Sequence, residues 1–192
     1  MRHPIGKFAL VAFACLVAAC AQFTLVEQAK RVTFDDTFSV APQIAWSKHS
    51  EGDVELWTVD GPLLQELIFF SGIADGKPLF PAAAQAKQKE LPVFDEKMTA
   101  LEVRDLLVAT LSRRNQFSVE TKGLRPWQFG GTDGFRFELS LVSDDGLNKQ
   151  GFAVGAIRGD KLYLIAFAAA EVHYYGKYKD TVESLLGSIE MI

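Results

Sequence analysis

The 192-residue chain has only two cysteines, Cys15 and Cys20, and neither lies beyond residue 20. The remainder of the chain therefore has no disulfide, no cysteine-ligated metal and no cysteine nucleophile. Histidine is nearly as scarce, because only His49 and His173 follow Cys20 and each stands alone in a predicted loop. We expect a domain that is stabilised by its apolar core and that holds no metal or other cofactor.

Long apolar runs and basic stripes are also missing. The apolar run from Phe8 to Val17 is too short to span a bilayer as a stable anchor. It follows the basic residues Arg2, His3 and Lys7, an order typical of a secretory signal peptide. The formal net charge is −4, and removal of this basic segment makes the remaining chain more acidic. Nucleic acids and anionic lipid headgroups are therefore poor candidate partners.

The apolar run ends in the sequence LVAAC (16–20), which resembles the bacterial lipobox. The resemblance implies that cleavage makes Cys20 the mature N-terminus and that this cysteine is acylated. A thiolate is the nucleophile that can take a thioether-linked lipid, whereas the alternative is an ordinary secretory signal with an accidental cysteine. Several acyl chains give stable anchoring without a spanning helix. We divide the chain into a lipoprotein signal peptide (1–19), a lipidated tether (20–31) and a single α+β domain (32–192).

The stretch from Phe129 to Ala170 predicts three strands joined by two short polar turns. Phe135 and Phe137 alternate with Arg136 and Glu138, the period of two that is typical of a strand with one buried face. The sequence SDDGLN (143–148) supplies residues that favour a turn. The second strand is predicted at 151–158, and the third, strongly apolar strand at 162–170, after the turn at 159–160.

Helices and shorter strands are predicted around this meander. Thr99 and Glu102 form a capping box that begins one helix, and a closing helix is expected from Tyr178 to Met191. The stripe of the first helix is assigned to Leu101, Leu107, Val108 and Leu111, and that of the second to Val182, Leu185, Leu186 and Ile189. Other strands are predicted within 32–45, at 54–59, 67–73 and 117–121, with a polar loop at 47–53 and a turn at 122–126.

This order predicts an α+β domain, in which helices pack against an antiparallel sheet. The irregular segment 79–98 is expected to be a surface loop, and long loops of this kind often carry function. Single residues near it and near the last helix could form a partner-binding surface, although the aromatic ones could equally fill the core. These candidates are Lys77, Leu79, Phe80, Phe94, His173, Tyr174 and Tyr175.

Catalytic and metal-binding patterns are weak. Ser47, His49 and Asp53 could form the catalytic triad of a hydrolase, but the sequence has no GxSxG-like nucleophile elbow. Asp144 and Asp145 lie in a stretch that lacks the closing glutamate of a calcium loop, so a turn is the better interpretation. The sequence therefore predicts a protein that is not an enzyme.

Several segments resemble the PsbP-like α/β/α sandwich: the strand end WTVDG (57–61), the strand LIFFSGI (67–73), the capped helix, and GFRF (134–137) with GDKLY (159–163) in the meander. WTVDG together with GIADGKPLF (72–80) resembles uncharacterised lipoproteins of Gram-negative envelopes. The resemblance implies a non-catalytic accessory or partner-binding protein, anchored by lipid in the cell envelope.

Ala21 stands where an aspartate would favour retention in the inner membrane, so we expect the outer membrane, facing the periplasm. The expected partner is another envelope protein. A carrier of small apolar ligands, with a cleft between sheet and helices, is the alternative.

Overall fold

An eight-stranded antiparallel sheet lies at the centre of the computed structural model, which describes residues 23–81, 91–115 and 117–192. From one edge to the other its strands are β1 (Thr24–Val26), β4 (Trp46–Glu51), β5 (Val54–Thr58), β6 (Gln65–Ala74), β10 (Lys161–Ala170), β9 (Asn148–Arg158), β8 (Thr132–Val142) and β7 (Ser118–Phe129). A small second sheet contains β2 (Val32–Phe34), β3 (Phe38–Val40) and β11 (Glu190–Met191). Within these described ranges, the α-helices are α1 (Ala100–Asn115) and α2 (Gly176–Leu186). The predicted α+β architecture is thereby confirmed.

The predicted three-strand meander is confirmed as β8, β9 and β10, and the sheet continues into β7. The segment predicted as a short strand and a turn is one long strand, whose register against β8 shifts between Lys122 and Arg125. Gly123 lies in this shift with a φ of 66°, a conformation that glycine adopts readily. The turn-like sequence therefore produces a β-bulge and does not end the strand.

Each face of the large sheet has its own apolar core. On one face, α2 and the small sheet cover aromatic side chains that include Trp46, Trp57 and Phe152. On the other face, α1 and the residues around Leu79 and Phe94 cover the second core. The strands between these layers are buried on both sides, which explains the almost continuous apolar sequence of β10.

The capping box forms as predicted. The Thr99 amide donates to Glu102 Oε2 at 2.7 Å, and the Glu102 amide donates to Thr99 Oγ1 at 3.3 Å. The predicted apolar stripe is partly wrong, because Leu101 is 48% exposed while Val103 is fully buried. The two residues point about 200° apart around a helix of 3.6 residues per turn. The buried face of α1 consists of Val103, Leu106, Leu107, Thr110 and Leu111.

Two further predictions are wrong. The polar loop expected at 47–53 is mostly strand β4, paired with β5 from Ser47–Thr58 to Glu51–Val54. Its side chains are polar because this strand lies near the edge of the sheet and is only half-buried. The closing helix ends at Leu186, and the chain then pairs with β3 through Glu190 and Met191.

The chain joins the sheet earlier than the predicted domain boundary at Val32. Residues 1–22, which include the predicted signal peptide and Cys20, lie outside the described residues. Thr24–Val26, predicted to be part of the tether, forms β1 at the edge of the large sheet. Val26 pairs with Trp46 and is buried with it in the first core. Within the described ranges, neither helix is long and apolar enough to cross a bilayer.

Candidate functional site

A polar cleft of about 550 Å³ lies between α2 and the strands β7, β8 and β9. Four of its charged side chains are cations and two are carboxylates. The cleft is therefore positive, although the chain as a whole carries a formal charge of −4. These charged residues are Lys122, Arg125, Arg136, Glu138, Lys179 and Glu183.

The pairing of β7 with β8 brings the charges of the two strands together. Arg125 lies opposite Arg136, and Lys122 lies opposite Glu138. Residues that face each other across an antiparallel pair point to the same side of the sheet. The polar half of the alternating β8 sequence therefore faces α2, while its apolar half faces α1.

Arg136 and Glu183 form the fixed part of the cleft. The side chain of Arg136 is only 7% exposed, and its Nη1 and Nη2 donate to the two oxygens of Glu183 at 2.7 and 2.6 Å. Its guanidinium also lies 4.1 Å above the ring of Phe152. Burial by itself lowers the pKa of Arg136, but the hydrogen bonds and negative charges of Glu183 and Glu138 together outweigh this effect and raise that pKa. A bidentate pair of this kind fixes the position of both groups.

Glu138 lies between two arginines. Its Oε1 accepts a hydrogen bond from Arg125 Nη2 at 3.3 Å and lies 3.5 Å from Arg136 Nε. Among the described residues, that buried Nε has no hydrogen-bond partner. Both carboxylates of the cleft are thus engaged by arginines, whereas neither Lys122 nor Lys179 forms an ion pair within the described part of the chain.

Tyr175 forms part of the cleft beside α2. Its ring stacks on Phe167 with a centroid distance of 6.1 Å, and Lys179 Nζ lies 5.9 Å from its centroid. Burial raises the pKa of the Tyr175 phenol, and the charge of Glu138 adds to this effect. The phenol therefore stays protonated at neutral pH and can donate a hydrogen bond into the cleft.

Asp60 holds the first turn of α2 in place beside the cleft. Its Oδ2 accepts hydrogen bonds from Lys177 Nζ, at 2.9 Å, and from the Tyr178 hydroxyl. The bond from Tyr178 is the main reason why the pKa of Asp60 is lowered. These contacts connect the chain after β5 to the helix that carries Lys179 and Glu183.

The predicted surface around residues 77–94 is mostly core. The exposed fraction is 0% for Leu79, 4% for Phe80 and 0% for Phe94, while Lys77 is exposed. The Phe94 amide donates to the Lys77 carbonyl and the Gly76 amide donates to the Phe94 carbonyl, each at 2.8 Å, and these bonds hold the two ends of the segment together. Of the two alternatives left open for the aromatic candidates, Phe80 and Phe94 take the core position, and Leu79 joins them in filling the space between α1 and the sheet. Residues 82–90 lie outside the described part.

The predicted aromatic residues before α2 have separate surroundings. His173 is exposed and has a φ of 77°, in an edge-to-face contact with Tyr174 at 5.1 Å. Tyr174 packs half-buried against the first core. Of the seven residues proposed as a binding surface, only Tyr175 lines the polar cleft.

None of the six charged residues of the cleft is a site residue predicted from the sequence. In the sequence Arg136 and Glu138 are only the polar side of a strand, because the contact of Arg136 with Glu183 joins distant parts of the chain. The available signal was the alternation of charges on β8, together with Lys179 and Glu183 at the i,i+4 spacing of one helix face.

Neither alternative chemical site is assembled. Ser47 and His49 lie on strand β4, where the His49 ring contacts that of Phe23 at 5.8 Å, and among the described residues no hydrogen bond joins them to Asp53. The segment around Asp145 is a turn, as predicted, in which Ser143 Oγ accepts from the Leu147 amide at 3.0 Å. In residues 23–81, 91–115 and 117–192, no three His, Cys, Asp or Glu side chains are grouped to hold a metal ion.

No protein-family model and no curated protein matches the chain. Among solved structures, cyanobacterial PsbP (CyanoP) from Synechocystis sp. PCC 6803 is similar, with 14% identity and a TM-score of 0.58 over 99% of this chain and 100% of that one. A Bacteroides thetaiotaomicron protein (12% identity, TM-score 0.48) aligns with 86% of this chain and 49% of its own. LpqN, which is involved in cell envelope biogenesis of Mycobacterium tuberculosis, has 10% identity and a TM-score of 0.39. Its alignment covers 88% of this chain and 90% of LpqN. The similarity to CyanoP shows that the chain has the PsbP-like fold.

Proposed function

We propose that this PsbP-like chain is a non-catalytic, lipid-anchored protein of the cell envelope, which binds a partner protein through the polar cleft. Its lipid would be attached to Cys20, and the folded domain would face the periplasm from the outer membrane. The observation that carries the proposal is the position of the cleft relative to the point where the chain enters the sheet.

The two positions lie at opposite edges of the sheet. Cys20 precedes Phe23 by three residues, a reach of about 10 Å when extended, and Phe23 leads directly into edge strand β1. The cleft lies beside the other edge strand, β7, which seven strand intervals separate from β1. At the usual strand spacing this corresponds to about 34 Å. An acylated Cys20 would therefore hold the β1 edge near the membrane, with the cleft directed away from it.

The charges of the cleft support binding better than acid–base catalysis. A general base must be free to accept a proton, whereas Glu183 is committed to Arg136 and Glu138 lies between two arginines. The Tyr175 phenol, like any tyrosine at neutral pH, is protonated, and burial raises its pKa further, which makes it a poorer candidate for a general base. Anchoring contributes by confining the cleft to one membrane surface, which raises its effective concentration for partners there.

The carrier alternative requires an apolar cleft between sheet and helices, whereas the apolar groove of about 480 Å³ among the described residues lies at the end of β6, lined by Ile73, Leu79 and Phe80. An apolar space lined by Ile68, Leu111 and Phe117 lies between α1 and the sheet, but its volume is only about 20 Å³. Drug-sized ligands occupy pockets of about 300–1,000 Å³. Trp46 and Trp57, which could have lined a larger cavity, are 1% and 0% exposed.

Replacement of Cys20 by serine is expected to abolish acylation, because a hydroxyl does not replace the thiolate in the thioether linkage. The protein should then leave the membrane fraction or accumulate with its signal peptide uncleaved. The measurement is membrane fractionation combined with metabolic labelling by a radioactive fatty acid. Cys15→Ser is the matched control and should leave labelling unchanged. Continued acylation of the Cys20→Ser protein would refute the lipoprotein assignment.

Partner binding is tested by photo-crosslinking in intact envelopes. A photoreactive amino acid at Lys122 or Lys179 should crosslink the same partner, because both side chains border the cleft. The control position is Lys97, an exposed residue before α1, where we expect no such product. Equal crosslinking from all three positions, or none from the two cleft positions, would contradict partner binding at the cleft.

A further inference from the structure

We propose that the cleft recognises its partner through a carboxylate, presented by an acidic peptide segment that lies between Lys122 and Lys179. This inference rests on the proposed function and assigns the chemistry of the group that the cleft binds.

The charges left without partners define where the ligand would lie. Arg136 donates two hydrogen bonds to Glu183, and Arg125 donates one hydrogen bond to Glu138. Lys122 belongs to β7 and Lys179 to α2, so the two ammonium groups border the cleft from different elements. A carboxylate between them would receive two charge-assisted interactions, a stronger kind than those between neutral groups.

Other donors lie in the same space. The Tyr175 hydroxyl has no hydrogen-bond partner among the described residues, and it lines the cleft together with both lysines. Arg125 is 50% exposed at its side chain and lies 3.3 Å from Glu138. An exposed pair of this kind contributes little to stability, so Arg125 can turn to an incoming carboxylate at small cost.

Acidic residues beyond the lysines limit the charge of the ligand. Glu120 lies opposite Ser140, two pairs further along the strands than Lys122 and Glu138 and on the same side of the sheet. Glu171 accepts a hydrogen bond from Gln150 at 2.8 Å, next to the same end of the cleft. A polyanion that continued in this direction would meet two like charges, which disfavours polyphosphate and nucleic acid.

The size and composition of the cleft fit a peptide better than a lone ion. Its volume of about 550 Å³ lies within the range of sites for molecules of several hundred daltons. Ser140 and Gln150 supply neutral polar groups at its outer end, which suit a peptide backbone. One carboxylate flanked by peptide groups therefore matches both the charged and the neutral parts of the cleft.

The test is isothermal titration of the protein, purified as cells produce it, with two short peptides. Acetyl-Gly-Glu-Gly-amide should bind at least about tenfold more tightly than acetyl-Gly-Gln-Gly-amide, since tenfold corresponds to about 1.4 kcal/mol and hydrogen bonds to charged groups contribute about 1.5–3 kcal/mol. Succinate and inorganic phosphate are titrated alongside, and both should bind more weakly than the glutamate peptide. Equal affinity for the two peptides would overturn the proposal, as would tighter binding of phosphate. Tighter binding of succinate would support recognition of a carboxylate, but it would overturn the proposal that a peptide segment presents it.

The location is tested by the double variant Lys122→Gln/Lys179→Gln, which should lose at least about tenfold in affinity for the glutamate peptide. The control, Lys97→Gln/Lys161→Gln, removes the same charge at two exposed positions outside the cleft and should bind as the parent does. All four lysines are exposed, and thermal unfolding checks that both variants remain folded. An equal loss in both variants would show a general charge effect and refute the site. These titrations do not depend on acylation of Cys20, so their failure is distinguishable from failure of the membrane anchoring.

Discussion

Replacement of Gly151 by alanine is expected to lower the free energy of unfolding by more than about 3 kcal/mol, beyond the usual cost of overpacking. Gly151 lies on β9 opposite Ala168 of β10, where the two strands are buried on both faces. A Cβ atom at this position would overlap the carbonyl oxygen of Phe167 and lie 3.0 Å from the Ala168 Cα. The obstructing atoms belong to the backbone of a central strand, so a change of side-chain rotamer cannot remove the overlap.

Gly176→Ala is the matched control. No atom lies within 4 Å of a Cβ built on Gly176, and its φ of −62° is helical. Alanine at this position should be neutral or stabilise by up to about 1 kcal/mol. Urea unfolding of both variants measures the difference. A Gly151→Ala protein as stable as Gly176→Ala would show that β9 and β10 can separate more easily than their packing indicates.

Lys149→Met is expected to destabilise the protein by about 3–5 kcal/mol at pH 8, the usual cost of removing one partner of a buried ion pair. Lys149 Nζ donates to Glu66 Oε1 at 3.2 Å and to the Pro62 carbonyl at 3.3 Å. The two side chains are 4% and 14% exposed. Burial already raises the pKa of Glu66 although Lys149 opposes this shift, so without the lysine that pKa rises further.

The sign of the pH dependence follows from this raised pKa. Glu66 is neutral in both states below its unfolded pKa, and it becomes an unpaired buried anion when the pH rises through its folded pKa. The Lys149→Met protein should therefore recover stability as the pH is lowered from 8 towards 5, relative to the parent protein. Urea titrations at both pH values test this. The double variant Lys149→Met/Glu66→Leu has no buried charge at this pair and should be more stable than Lys149→Met at pH 8. A single variant whose loss is independent of pH would contradict the assignment to Glu66.

Local sequence predicted the parts of the fold that local interactions determine. The capping box of Thr99 and Glu102 joins neighbouring residues, and the meander strands alternate and end at clear turn sequences. Strand β4 was not predicted, because its polar side chains are compatible with a half-exposed strand near the sheet edge as well as with a loop. For Phe80 and Phe94 the sequence left surface and core as alternatives, because their burial depends on contacts with α1 and β6, which no local pattern specifies.

The cleft was the least predictable feature. Its central contact joins Arg136 and Glu183, which are 47 residues apart, and its opening depends on how α2 crosses the sheet. Among the lining residues of the cleft, the sequence predicts a site residue only at Tyr175, which belongs to an aromatic pair before a helix. Charged residues on the outer side of a strand are usually solvated. The charged residues of β7 and β8 line one cleft only because α2 packs across that side of the sheet.

The bulge in β7 also affects how copies of the protein could associate with one another. This strand is twelve residues long and forms an open edge of the sheet, which could in principle pair with the same strand of a neighbour and start aggregation. The register shift beside Gly123 interrupts its hydrogen-bonding pattern, and Pro126 has no amide to donate. Lys122 and Arg125 add charge that repels an identical edge. Lys122 and Arg125, which line the cleft, thus also oppose edge-to-edge self-association, together with the bulge and Pro126.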